Sequence, residues 1–161
     1  MKRIMVTGAF GQIGSELVPA LRKKFGNENV IAFGHKKKPP KAIEESGPID
    51  YVEVTDKKAL EKKIKEYGID TVYHLAAILS ATGEKNPSLA WDVNMNGTYN
   101  VLELARELSL EKIMIPSSIA AFGPDTPRDK TPNETIQRPT TMYGVTKVAG
   151  ELLANYYFKK F

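Results

Sequence analysis

The sequence has no cysteine, two histidines and one tryptophan in 161 residues. Without thiols there is no disulfide and no thiolate metal centre. Two histidines with no carboxylate cluster around them cannot supply a histidine-rich site either, so no metal is expected. No apolar run approaches the roughly 20 residues of a membrane-spanning helix, and no signal-peptide pattern opens the chain. The expectation is a cytoplasmic protein with no membrane partner. An excess of one charge is also missing: 23 basic and 19 acidic residues leave a net +4, with the signs interspersed. The exception is Lys36-Lys37-Lys38, followed by Pro39-Pro40-Lys41. With no interleaved aromatics and no nucleic-acid module, that run reads as a solvated loop before it reads as a nucleic-acid contact.

What the chain does have is alternation. Apolar β-prone runs lie at residues 4–6, 30–33, 51–54, 71–75 and 113–115, and amphipathic stretches separate them. Ile13, Leu17 and Leu21 recur every fourth residue and predict a helix from Gln12 to the stop at Gly26-Asn27, with Pro19 inside it. Asp56 caps a second helix carrying Leu60, Ile64 and Tyr67 and ended by Gly68. Asn86-Pro87 starts a helix running to Leu108, and a last helix spans 141–158 after a Pro-rich loop at 123–139. Strands this apolar have no wet face, so they belong to a parallel sheet covered by helices on both sides. The fold class is α/β, a doubly wound Rossmann-type sheet of five strands in the order 3-2-1-4-5. A ligand crevice is expected between the first and fourth strands, where the order reverses. The chain ends on a helix with no strand after it. Residues 1–161 thus read as the front part of a larger unit.

Thr7-Gly8-Ala9-Phe10-Gly11-Gln12-Ile13-Gly14 joins the first strand to the first helix with the spacing G-x-x-G-x-x-G. In the dinucleotide fingerprint the first glycine allows the tight turn, the second lets a pyrophosphate approach the backbone, and the third lets helix and strand pack closely. Free N–H groups at the helix start then face the phosphates. Gly8, Gly11, Gln12, Ile13 and Gly14 are therefore candidate cofactor residues. The fingerprint also expects an acid about 20 residues on, binding the ribose 2′-hydroxyl. That position is Gly34, followed by His35 and the three lysines. The missing carboxylate and the cations beside it make NADP a live option next to NAD, and an acid introduced at Gly34 is expected to favour NAD.

Tyr143 and Lys147 are i and i+4 on the last helix, one turn apart on the same face. An ammonium near a phenol favours the phenolate, a base able to take a proton from an alcohol. Tyr156 and Lys160 share that spacing, so it is informative only in company. The company is Ser117-Ser118, just past the fifth strand, where side chains face the crevice of a parallel sheet. Taken alone, Pro116-Ser117-Ser118 suits a polar turn equally well.

Together these residues make a resemblance. The chain resembles the extended short-chain dehydrogenase/reductase family through the Thr7–Gly14 loop, His74-Leu75-Ala76-Ala77, Asn94-Met95-Asn96-Gly97-Thr98, Ser118 and Tyr143-x-x-x-Lys147. Within it, the short-chain L-threonine 3-dehydrogenases match best. Leu79-Ser80-Ala81-Thr82-Gly83-Glu84-Lys85-Asn86-Pro87 and the segments 116–124 and 138–147 carry that match.

The resemblance implies NAD-dependent oxidation of the 3-hydroxyl of L-threonine to 2-amino-3-oxobutyrate. Tyr143 would be the base, Lys147 would tune it and hold the nicotinamide ribose, and Ser118 would orient the substrate hydroxyl. Ser80 matches a substrate-contacting serine. Leu75, Ala76 and Ala77 would line the cofactor, with Asn94 near its nicotinamide end and Glu53-Val54 beside the adenine. A homodimer is implied, through helices at 86–108 and 141–158. Two other readings stay open: a nucleotide-sugar epimerase or dehydratase of the same superfamily, and a cofactor-binding module without turnover.

Overall fold

Ile4, Met5, Val6 and Thr7 are all buried, a condition met in the middle of a sheet covered on both faces. The computed structural model, which describes residues 2–161, places them there. The elements run β1 (Ile4–Thr7), α1 (Gln12–Phe25), β2 (Val30–Gly34), α2 (Lys41–Glu44), β3 (Ile49–Tyr51), α3 (Lys57–Tyr67) and β4 (Thr71–His74). Then follow α4 (Ser80–Lys85), α5 (Pro87–Trp91), a π-helical turn (Asp92–Asn96), α6 (Gly97–Glu107), β5 (Lys112–Met114) and α7 (Met142–Lys160). Single 3-10 turns lie at Asn27–Asn29 and Ile119–Ala121.

The five strands form one sheet in the order β3-β2-β1-β4-β5. Every pairing is parallel. This is the doubly wound, Rossmann-like arrangement expected from the alternation of apolar runs with amphipathic helices.

The chain forms two compact units. The first comprises the residues up to Ala76 together with Gly97–Ile115 and holds the sheet. Successive strand residues point to opposite faces, so β1 feeds two cores. Met5, Ile31, Phe33 and Val72 pack with Leu60 and Ile64 of α3 and Val101 and Leu104 of α6. Ile4, Val6, Val30 and Ala32 pack with Val18 and Leu21 of α1 and Ile43 of α2. Each such side chain contributes about 1.5–3 kcal/mol by leaving water. The buried Arg22 of α1 ties the second core to its rim: it donates to the carbonyls of Ile43 and Pro48, both at 2.6 Å, and to Ser46 Oγ at 2.7 Å.

The second unit comprises Ala77–Asn96 and Pro116–Phe161. There α7 packs on α4, α5, the π-helical turn and the 3-10 turn at Ile119–Ala121. The Pro-rich loop is closed at its stem by the buried Thr126, whose Oγ1 accepts from Gly123 N at 3.1 Å and donates to the Ile136 carbonyl at 2.5 Å.

Two expected elements need correction. The third strand is Ile49–Tyr51, not 51–54. Its central Asp50 looks unsuited to a strand, but its carboxylate is taken by Lys63 Nζ at 2.6 Å and by the Tyr67 hydroxyl at 2.9 Å. Val52 adds one more bond, to the Gly34 carbonyl at 3.0 Å, before the chain turns at Glu53–Asp56. The expected helix from 86 to 108 is not continuous: it divides into α5, the π-helical turn and α6. The α6 end begins at Gly97, where a Cβ would lie 2.9 Å from Val54 Cγ2. The short helices α2 and α4, of four and six residues, have too little length to show a period.

Candidate active site

In the first unit the glycine loop has the backbone a dinucleotide site requires. Gly8 has φ +65°, and a Cβ on it would lie 2.7 Å from Ala76 N, so the loop and the segment after β4 approach backbone to backbone. A Cβ on Gly14 would strike the Ala9 carbonyl, which fixes how closely α1 packs on the loop. Gly11 is exposed and caps α1 with extended backbone and no side-chain bond. With no acid in the first turn either, the helix start offers its N–H groups to an anion. Gln12 and Ile13 are exposed beside them, Ile13 being 61% accessible. Thr7 stitches the floor: its Oγ1 lies 2.8 Å from His74 Nδ1 and accepts from Ala76 N at 3.3 Å, while its carbonyl accepts from Leu75 N at 3.1 Å. The loop therefore fits a pyrophosphate in both shape and polarity.

At the far edge, Glu53 Oε2 pairs with His35 Nε2 at 2.9 Å. Val54 is buried against Gly97, and Asn100 Nδ2 donates to the carbonyls of Val54 and Thr55 at 3.0 and 3.1 Å. Gly34 is buried, and a Cβ there would overlap the ring of Phe10. An acid at 34 would thus have to displace a core aromatic, which revises the expectation that it simply favours NAD.

The second unit gathers Ala77, Ser80, Asn94, Ser118, Tyr143 and Lys147. Lys147 Nζ lies 5.4 Å from the Tyr143 ring centroid and donates to the Pro116 carbonyl at 2.8 Å. Burial lowers the Lys147 pKa from its ordinary 10.5, because a charged ammonium is poorly solvated there. Gly144 follows Tyr143 for a packing reason: a Cβ would strike the Ala120 carbonyl and come within 2.5 Å of Pro139 Cβ. The α7 start thereby sits directly on the turn after Ser118, whose Oγ accepts from Ala120 N at 3.2 Å. Ser80 opens α4. Asn94 lies in the π-helical turn, a distortion often found at functional sites. Its Oδ1 accepts from Ile78 N at 2.7 Å, and its Nδ2 donates to Ile78 O at 3.0 Å and Thr146 Oγ1 at 3.1 Å. Its amide is engaged with the protein.

Two carboxylates that the sequence did not single out, Glu84 and Glu151, complete this unit. Glu84 Oε1 accepts from Met142 N at 2.7 Å, joining α4 to the start of α7, which Thr141 also caps at Gly144 N. Glu151 accepts from Ser117 Oγ and, at 2.9 Å, from Gln137 Nε2. One carboxylate thus clamps the segment carrying Ser118 and the return of the Pro-rich loop onto the helix bearing Tyr143 and Lys147. A lone glutamate on a helix carries no sequence signal for such a role.

The model of the NAD dependent epimerase/dehydratase family matches residues 4–161. The chain belongs to that family. An uncharacterized epimerase/dehydratase of Staphylococcus saprophyticus is 53% identical over all 161 residues, which cover 50% of that protein. The solved L-threonine dehydrogenase of Clostridium difficile matches with TM-score 0.95 and 52% identity over 100% of this chain and 50% of its own. The holo form of a GalE-like L-threonine dehydrogenase from Cupriavidus necator matches with TM-score 0.93 and 45% identity over 98% of this chain and 51% of its own. UDP-glucose 4-epimerase of Thermus thermophilus in complex with NAD matches with TM-score 0.87 and 27% identity, over 99% of this chain and 51% of its own. The chain spans about half the length of these relatives. Among the described residues no helix is long and apolar enough to cross a membrane, and no group of His, Asp and Glu is placed to hold a metal.

Proposed function

We propose that residues 1–161 are the cofactor-binding part of an NAD-dependent L-threonine 3-dehydrogenase. The observation carrying this reading is the Lys147 ammonium held beside Tyr143 by the Pro116 carbonyl, on a helix seated against the turn after Ser118. Identities of 45–52% to proteins named threonine dehydrogenases support the substrate.

In this reading Gly8, Gly11, Gln12, Ile13 and Gly14 hold the pyrophosphate, Leu75, Ala76 and Ala77 line the cofactor, and Glu53 and Val54 flank the adenine. When bound, the nicotinamide supplies the acceptor for the hydride leaving C3 of threonine. Tyr143 Oη takes the proton of the 3-hydroxyl, so the freed O–H pair closes the C=O bond as the C3–H pair departs as hydride. Lys147 places its ammonium beside the Tyr143 ring and holds the nicotinamide ribose. Ser118 orients the substrate hydroxyl, and Ser80 contacts the amino acid. Asn94 shapes the nicotinamide end by fixing Ile78.

A homodimer is part of the proposal. On α7, Leu152 and Phe158 are 65% and 87% exposed, more apolar area than a solvated helix face needs. Light scattering of the full-length protein checks it, a strict monomer being the contrary result. The second reading is a nucleotide-sugar epimerase, favoured by the family name and the Thermus thermophilus neighbour. Parallel assays of the full-length protein with L-threonine and NAD, and with UDP-glucose, separate the two. NADH formation from threonine supports the first, and turnover of the sugar nucleotide alone supports the second.

A further inference from the structure

The ribose reader of a dinucleotide fold sits at the carboxyl end of β2. Here that end is closed to any side chain. Gly34 is buried, its Cα faces Phe10, and Phe10 is itself 2% exposed and packed edge-on against Tyr51 at 5.7 Å. The next residue, His35, is exposed, and its Nε2 meets Glu53 Oε2 at 2.9 Å. Glu53 comes from the neighbouring chain segment, two residues past β3, and its Oε1 also accepts from Thr55 N at 3.3 Å. Lys36, Lys37 and Lys38 follow His35, all exposed and with no ion pair among the described residues.

We propose that the His35–Glu53 pair, in place of a carboxylate at the end of β2, sets the discrimination between a 2′-hydroxyl and a 2′-phosphate on the adenosine ribose. This rests on the dinucleotide reading above. A carboxylate standing alone accepts hydrogen bonds from the ribose hydroxyls and repels a phosphate. Glu53, which flanks the adenine in that reading, brings such a charge to the neighbouring rim at His35, but the imidazole hydrogen-bonded to it offsets its field, and three cations lie next in the chain. The two halves of the pair therefore act in opposite senses. Glu53 favours NAD and His35 favours NADP. With both present, the chain binds NADP within about tenfold of NAD, since the loss of one charge-assisted hydrogen bond corresponds to roughly that factor.

The test is calorimetric titration of the full-length protein with NAD and with NADP, for the wild type, Glu53→Gln and His35→Ala, at two salt concentrations. Both substituted side chains are about half exposed, and circular dichroism checks that the variants fold. Glu53→Gln is expected to move the NADP-to-NAD affinity ratio about tenfold toward NADP, and His35→Ala about tenfold toward NAD. Added salt is expected to weaken NADP more than NAD. A purely structural pair would shift both cofactors together. A ratio unmoved in both variants, moved in the same direction by both, or a wild type with no detectable NADP binding overturns the inference while leaving the dinucleotide reading intact. A wild type that binds neither cofactor overturns both.

Discussion

Replacing Asn94 by alanine removes three hydrogen bonds at once: the Ile78 N–H loses its acceptor, and the Ile78 carbonyl and Thr146 Oγ1 lose a donor. Asn94 and Thr146 are 6% and 3% exposed, so water replaces those partners poorly. At about 0.5–1.5 kcal/mol net per bond, the loss is about 3 kcal/mol. For a chain of this size that lowers the melting temperature by about 6–12 °C. Thr146 Oγ1 also donates to the Tyr143 carbonyl at 2.8 Å, so the damage reaches the turn of α7 that carries the proposed base. The assay is thermal unfolding combined with amide exchange at Ile78. Asn94→Ala is expected to melt lower and to exchange faster at Ile78. Asn94→Asp, which keeps the acceptor for Ile78 N–H, is expected to recover Ile78 protection but not the full stability. Unchanged melting and unchanged Ile78 exchange in the alanine variant would refute the assignment of Asn94 as a staple.

Arg22→Met should cost about 3–5 kcal/mol, because the carbonyls of Ile43, which is buried, and Pro48, which is partly so, lose a charged donor; urea unfolding measures it. For Lys147, burial depresses the folded-state pKa, so above that value the unfolded chain binds more protons than the folded one. Stability from this group therefore rises as pH climbs from the lowered value toward 10.5, and Lys147→Met should abolish that rise in unfolding curves taken across the window. In the full-length protein, Glu151→Ala should lower kcat about tenfold with KM little changed, and Glu151→Gln should restore most of it. Ser118→Ala should likewise act mainly on kcat in steady-state assays.

The parts of the fold that were legible are those where local pattern and tertiary role agree. β1, β2 and β4 are apolar because they are central, and the glycine spacing is visible because backbone contacts at Gly8 and Gly14 exclude every side chain. β3 was misplaced because Val52 and Val54 are buried by packing outside the strand, while Asp50 inside it is neutralised by Lys63 and Tyr67 from α3. The break at Asp92–Asn96 has no propensity signal, since a π turn reflects what Asn94 must reach. In the candidate site, spacing and position showed the one-turn relation of Tyr143 and Lys147 and the place of Ser118 after β5, while the roles given to them rest on the resemblance. Glu84, Glu151 and the Phe10 ring behind Gly34 were not legible, because each acts on a segment distant in sequence and each alone suits an ordinary helix face or core.

The most direct measurement is label transfer by the full-length protein. L-Threonine deuterated at C3 is supplied with NAD, and the reduced cofactor is analysed by mass spectrometry. The account predicts deuterium in the reduced nicotinamide, and a rate about 10²–10⁴-fold lower in Tyr143→Phe with NAD affinity nearly unchanged. Absence of transfer from threonine, or an undiminished rate in Tyr143→Phe, would contradict it.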